Sequence, residues 1–254
     1  MKAVILAGGF GTRLAEYTEL IPKPMVTIGD KPILIHIMDH YAKFGIKEFI
    51  IAAGYKSDAI KKFFLDFSLT NSDFKIDLSS GSSKILNAAS SRDWTVSVID
   101  TGLDSMTGGR LLRLKPYLGD ETFFLTYGDG VSDVDLTRLL SLHRAESNLV
   151  TVTAVRPAAR FGELEFEGSR VKSFKEKPQL EQGWINGGFF AVQSNFLDYI
   201  ADDSSILEKA PLERVASEGL MGAHLHHGFW QCMDSKRDRD YLQDLWQTGA
   251  APWQ

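Results

Sequence analysis

The chain opens on a short apolar run, Ala3 to Leu6, that passes directly into Ala7-Gly8-Gly9-Phe10-Gly11-Thr12-Arg13. No other stretch limits the possible folds so tightly. A run this short before a glycine-rich turn suits a buried strand leaving a sheet better than a helix. The glycines at 8, 9 and 11 let the backbone come close to a ligand, because no Cβ stands in the way. Successive N–H groups in such a turn converge on phosphate oxygens. Thr12 adds a hydroxyl and Arg13 a permanently charged planar fork. The expected guest of Leu6, Ala7, Gly8, Gly9, Phe10, Gly11, Thr12 and Arg13 is therefore a polyanion. Two better-known phosphate loops fit poorly. A Walker A loop needs Lys then Ser/Thr after its last glycine, where Thr12 and Arg13 stand, and a dinucleotide fingerprint needs a third glycine where Leu14 stands. On the glycines alone, a tight strand-to-helix connection without a ligand explains the turn equally well.

Pro22-Lys23-Pro24-Met25 weighs against that plainer reading. Prolines on both sides stiffen the backbone around a single lysine and so aim its ammonium group. Further along, Thr122 to Tyr127 reads as a buried strand ending in Gly128-Asp129-Gly130. That sets a carboxylate at the carboxyl edge of the sheet, where doubly wound folds bind ligands. Asp129 suits magnesium, which takes hard oxygen donors and often one or two carboxylates. A turn aspartate with no metal is the plain alternative. Glu176-Lys177-Pro178 sets a carboxylate beside an ammonium, which by itself is only a charged hairpin end. Asn186, next to Gly187 and Gly188, brings a donor and an acceptor to a hydroxylated ligand.

Taken together, GGxGTRL followed by PKPM resembles the signature of the sugar-nucleotide pyrophosphorylases, the sugar-1-phosphate nucleotidyltransferases. Tyr127-Gly128-Asp129-Gly130, Phe174-Lys175-Glu176-Lys177-Pro178, Ile185-Asn186-Gly187-Gly188 and Trp230-Gln231-Cys232-Met233-Asp234 follow in the family's order. The resemblance implies that the glycine loop, with Lys23, Thr101, Gly102, Ser105, Arg110 and Gly128, holds a nucleoside triphosphate. It places Arg13 and Lys23 on the departing pyrophosphate and makes Arg13, Lys23 and Asp129 the catalytic residues. It implies Mg2+ as cofactor, held by Asp129 and Asp234, although no sequence pattern shows that these two residues meet. It sets Glu176, Asn186 and Gly187 at the sugar and Lys177 on the sugar phosphate. The segment from Thr101 to Arg110 is similar to that of the family's cytidylyl-transferring members, which implies CTP and glucose 1-phosphate as substrates and CDP-glucose, used in surface polysaccharide synthesis, as product. Leu103-Asp104 lengthens this segment by one residue and Phe10 replaces a usual leucine. Transfer from UTP or TTP, and a non-catalytic sugar-nucleotide sensor, are the alternatives; the sensor would be expected to have lost charged residues that are all present here. The family's habit also implies a homo-oligomer.

Length and composition agree with such an enzyme. A chain of 254 residues with 44% hydrophobic content fills a sizeable core. A net charge of −5 without a basic run excludes nucleic acid and membrane surfaces as expected partners. Cys232 is the only cysteine, so no intrachain disulfide forms. With no apolar leader before the first strand, a cytoplasmic location is expected. The expected fold is α/β: a Rossmann-like, mixed but mostly parallel sheet flanked by helices, with a smaller antiparallel sugar-binding part in the second half. One catalytic domain over 1–254 is expected, its nucleotide half ending near 148. Asp30 is expected to cap a helix starting at Lys31-Pro32. Residues 69–92 read as irregular or as an excursion from the sheet, 161–175 as a hairpin, and Trp184 to Val192 as one strand. His36-Ile37-Met38-Asp39-His40 looks like an inverted zinc-protease motif, and His224, His226 and His227 invite the same idea. Neither group has a further ligand in view, so both read as ordinary histidines.

Overall fold

The computed structural model describes residues 1–88, 92–157, 163–175 and 183–254. In it the opening run is the strand Lys2–Ala7, buried from Ala3 onward. Glu48–Ala53 and Phe123–Tyr127 pair with it on either side, and Thr95–Asp100 lies beyond Glu48–Ala53, all parallel. Strands covered on both faces need consecutive apolar residues rather than alternation. The first strand shows why: Ala3, Ile5 and Ala7 enter one apolar cluster, and Val4 and Leu6 enter the other. The helix Ile33–Lys43 covers the first face with Ile33, Leu34, Ile37, Met38 and Tyr41. The helix Thr107–Arg113 covers the second through Leu111.

Beyond Phe123–Tyr127 the sheet changes direction. Phe190–Val192 pairs with that strand antiparallel, and Val150–Val155 pairs with Phe190–Val192 antiparallel in turn. Met221–His226 then runs parallel to Val150–Val155, which completes one mixed eight-stranded sheet. The mostly parallel first half and the antiparallel turn of the second are as the sequence implied.

Several boundaries differ for local reasons. Lys31-Pro32 pairs with Thr27–Ile28, so the helix begins at Ile33 and its N-cap position is Pro32 rather than Asp30. The stretch 69–92 contains a two-stranded hairpin, Ser72–Ile76 with Ser83–Ala88, outside the main sheet. The hairpin in 161–175 pairs Glu163–Glu167 with Arg170–Lys175, while 161 and 162 lie outside the described residues. The expected Trp184–Val192 strand is two pieces, Ile185–Asn186 and Phe190–Val192, separated where Phe189 takes a positive φ of 51°. His36 and His40 are buried in the core, where their Nε2 atoms pair with the carbonyls of Ile28 and Val134. Burial holds the His40 imidazole down to about 4. Among the described residues no helix is long and apolar enough to cross a membrane.

Candidate active site

The glycine loop lies at the carboxyl end of the central strand. Gly11 adopts φ 65°, in the left-handed region that glycine tolerates, and its carbonyl accepts from Leu14 N at 2.9 Å as the chain turns into the 3-10 segment Thr12–Leu14. Among the described residues the N–H groups of Gly9, Phe10 and Gly11 donate to no backbone carbonyl, which leaves them available to an anion. The glycines serve different ends. A Cβ on Gly9 would meet nothing within 4 Å, whereas one on Gly8 would lie 2.3 Å from Arg110 Nη1. Gly8 is small because a buried guanidinium packs on it.

That guanidinium also holds the loop that begins at Thr101. Arg110 is 4% exposed. Its Nη1 donates to Gly102 O at 2.6 Å and Thr101 Oγ1 at 2.9 Å, and its Nη2 donates to Leu103 O at 3.1 Å. Thr101 Oγ1 in turn donates to Ala53 O at 2.7 Å, and Ser105 Oγ to Thr101 O at 2.6 Å. The loop from 101 to 105 is thus held by Arg110, by the Ala53 carbonyl and by its own bond from Ser105 to Thr101. Ser105 and Arg110 line the cleft beside the glycine loop, and Thr101 and Gly102, expected there from the sequence, do not.

The carboxylates come together through strand pairing. Asp129 follows Phe123–Tyr127, and Gly130–Ser132 pairs antiparallel with Trp230–Cys232, Cys232 opposite Gly130. Met233 N donates to Asp129 O at 2.8 Å, so Asp234 arrives next to Asp129. The helix Lys236–Gln247 then starts immediately with a capping box of Ser235 and Asp238, and Asp238 Oδ2 also accepts from Asp234 N at 3.1 Å. Lys23, in the 3-10 turn Lys23–Met25, places its Nζ 2.6 Å from both Asp129 Oδ2 and Asp234 Oδ1, and Arg13 Nη1 reaches Asp234 Oδ2 at 2.7 Å. Burial alone would lower the Lys23 pKa, but the charge and hydrogen bonds of Asp129 and Asp234 outweigh it and the pKa is raised. Burial opposes the charged form of Asp234 as well, yet Lys23 and Arg13 hold its carboxyl below the usual range. Both groups are ionised at neutral pH. The Cys232 thiol, pushed up to about 12 by burial and then by Asp234 and Asp129, is a poor nucleophile.

Two clefts meet at this cluster. One, of about 580 Å³, has in its lining Leu6, Ala7, Gly8, Gly9, Phe10, Gly11, Thr12, Arg13, Lys23, Ser105, Arg110, Gly128 and Asp129, which the sequence led one to expect for the nucleotide or catalysis, and also Pro24, Leu103, Asp104, Met106, Thr107 and Tyr127, which it did not. The other, of about 620 Å³, is lined by Asn186, Gly187, Asp129 and Asp234 together with Tyr127, Glu208 and Trp230. Arg13, Tyr127 and Asp129 line both. Gly187 owes its size to packing, since a Cβ there would lie 2.6 Å from Val155 Cγ1. Glu176 and Lys177 lie outside the described residues. In the sequence Tyr127 stands out only as the first residue of the Tyr127-Gly128-Asp129-Gly130 motif. Trp230 likewise stands in the sequence only inside the motif that ends at Asp234, and Glu208 carries no local signal, because it is an ordinary residue until the fold turns it toward the cleft. His226 pairs with Asp133 at 2.9 Å, apart from the carboxylate cluster.

A cleft with unpaired loop N–H groups beside two carboxylates and two cations has the features expected of nucleotidyl transfer, and comparison with known proteins gives the same class. The nucleotidyl transferase family profile matches residues 2–227, and the chain belongs to that family. It is 46% identical over 254 residues to the glucose-1-phosphate cytidylyltransferase of Salmonella typhi, covering 100% of this chain and 98% of that protein. It is 40% identical to a probable glucose-1-phosphate cytidylyltransferase of Bacillus subtilis, covering 100% of this chain and 99% of that one. Among solved structures, HddC from Yersinia pseudotuberculosis shares the fold, with a TM-score of 0.71 at 22% identity over 96% of this chain and 99% of that one.

Proposed function

We propose that this chain transfers a cytidylyl group from CTP to α-D-glucose 1-phosphate, giving CDP-glucose and pyrophosphate. The observation that carries the reading is the junction of two clefts at Asp129, one floored by free backbone N–H groups and the other lined by hydrogen-bonding side chains. The full-length likeness to glucose-1-phosphate cytidylyltransferases selects the substrates.

A phosphate oxygen of the sugar phosphate attacks the α-phosphorus of CTP in line. The new P–O bond forms as the bond to the β-phosphate oxygen breaks, and pyrophosphate leaves with that electron pair. A phosphate monoester has a second pKa of about 6, so the nucleophile is already charged at neutral pH and needs no general base. The inert Cys232 thiol agrees with a direct displacement. What the protein supplies is position and opposing charge. The N–H groups of Gly9, Phe10 and Gly11 hold the triphosphate, Arg13 and Lys23 face the leaving pyrophosphate, and Asn186 faces the sugar. Lys177 and Glu176 take the sugar phosphate and a sugar hydroxyl on the family's pattern.

The donor set fits magnesium: two carboxylate oxygens, on Asp129 and Asp234, converge on one cation, the Lys23 ammonium, and magnesium prefers such hard oxygens. Held by Asp129 and Asp234, the ion would supply positive charge that offsets the negative charge developing as pyrophosphate leaves. One catalytic domain over 1–254, a homo-oligomer, a cytoplasmic location and a place in surface-polysaccharide synthesis complete the reading.

The test is pyrophosphate release on mixing the protein with glucose 1-phosphate, magnesium and CTP, UTP or TTP in turn. Cytosine carries an amino donor where uracil and thymine carry an acceptor, so the wrong base leaves a buried acceptor unpaired at a cost of about 1–3 kcal/mol. CTP should therefore win by roughly tenfold to over a hundredfold in kcat/KM. Equal values would remove the cytidylyl assignment and leave nucleotidyl transfer standing.

A further inference from the structure

Resting on that reading, we propose that Glu208, through Tyr127, is a positioning residue for glucose 1-phosphate: it sets the amide orientation of Asn186 and ties it to the start of the helix that follows the base loop. The chain of hydrogen bonds is continuous. Thr107, first residue of the helix Thr107–Arg113, accepts from Leu207 N at 2.9 Å and donates its hydroxyl proton to Glu208 Oε2 at 2.7 Å. Tyr127 donates to Glu208 Oε1 at 2.6 Å. Asn186 Nδ2 donates to the Tyr127 hydroxyl at 3.1 Å, and Asn186 Oδ1 accepts from Gly188 N at 2.8 Å.

The direction of every proton in this chain follows from one charge. An ionised carboxylate only accepts, so Thr107 and Tyr127 must both donate to Glu208. With its proton so committed, the Tyr127 oxygen can only accept from its other neighbour. That neighbour must be the amide nitrogen of Asn186, which settles an orientation the side chain's shape leaves open. Asn186 is left with one N–H and one oxygen lone pair for a ligand. The Tyr127 ring is kept in place by edge contact with Phe190, centroids 6.0 Å apart, so the hydroxyl stays fixed over the cleft. Both carboxylate oxygens of Glu208 are engaged within the protein, and the residue acts through Asn186 rather than on the sugar.

Thr107 and Tyr127 line the first cleft, and Tyr127, Asn186 and Glu208 line the second. The chain therefore spans the two substrate sites without passing through Asp129, Asp234, Lys23 or Arg13. Glu208 is exposed and Tyr127→Phe keeps the ring, so neither substitution removes core packing.

The experiment is calorimetric titration of glucose 1-phosphate into protein saturated with α,β-methylene-CTP, a non-reacting analogue, for the wild type, Glu208→Ala, Tyr127→Phe and the double variant. Each single variant should weaken glucose 1-phosphate binding about tenfold, the size of one misdirected hydrogen bond, while affinity for the analogue changes less than twofold. Because both act through the same amide, the double variant should be no weaker than either single one. In turnover, KM for glucose 1-phosphate should rise with kcat nearly kept, which general loosening of the fold would not produce. Additive losses would mean that Glu208 touches the sugar itself and would overturn the relay, as would unchanged binding in both variants. A wild type that binds the analogue but no glucose 1-phosphate would sink the substrate reading and the relay with it, and is distinguished by the wild-type titration alone.

Discussion

The cleft beside the glycine loop and the cleft beside Asn186 share Arg13, Tyr127 and Asp129 but are built in different ways. The first is built on backbone: a run of consecutive residues turns at the end of one strand and leaves its N–H groups without a carbonyl partner among the described residues. The second is side chain: Tyr127, Asn186, Glu208, and Trp230 with Asp234, come from four separate stretches and converge only in the folded protein. A backbone site depends on which positions have no Cβ. A side-chain site depends on which hydrogen bonds and ion pairs hold each group's angle, so the two should fail differently when changed.

The largest effect is expected where the two clefts join. Asp129→Asn and Asp234→Asn should each lower turnover at least about a hundredfold, the loss typical of one preorganised charge-stabilising group. Steady-state pyrophosphate release at saturating substrates measures it. Near-normal turnover of either variant at limiting magnesium would remove that carboxylate from the metal site and break the symmetry drawn between them.

A smaller effect sharpens the contrast within the backbone cleft. Gly8→Ala sets a methyl 2.3 Å from the nearly buried Arg110 guanidinium, and Gly9→Ala sets one in open space. Overpacking of this kind costs about 1–3 kcal/mol, so Gly8→Ala should lower Tm by several degrees. Gly9→Ala should leave Tm unchanged and weaken only CTP binding. Scanning calorimetry with a CTP titration separates them, and equal Tm losses would mean that the loop, and not Arg110, demands the small residue.

The smallest effect tests how Asp234 is aimed. Ser235→Ala removes the capping box that starts the last helix one residue after Asp234. It should cost about 1 kcal/mol of stability and raise the magnesium concentration needed for half-maximal activity two- to threefold, with the CTP requirement unchanged. An unaltered magnesium requirement would show that the ladder with Gly130–Ser132 is enough to hold Asp234.

Much of this was legible before folding, and the reason is locality. The strand Lys2–Ala7, the phosphate turn after it, the aimed Lys23 and the carboxylate at the end of Phe123–Tyr127 each depend on neighbours a few positions away. Such contacts leave a mark in the order of residues: consecutive apolar side chains for a strand covered twice, glycine where a Cβ would collide, proline where an ammonium must point. The mostly parallel sheet follows from the same local alternation of strand and helix. Only the tertiary structure decided the rest. Asp129 and Asp234 stand 105 positions apart, and a three-residue ladder between Gly130–Ser132 and Trp230–Cys232 brings them to one lysine. Glu208 enters the second cleft on a segment whose sequence shows neither glycines nor a motif, and Arg110, set at the nucleotide by the resemblance, turns inward to hold Thr101, Gly102 and Leu103. A side chain's direction and partner across a fold are set by packing between distant segments, and that sum of contacts has no counterpart in the spacing of residues along the chain.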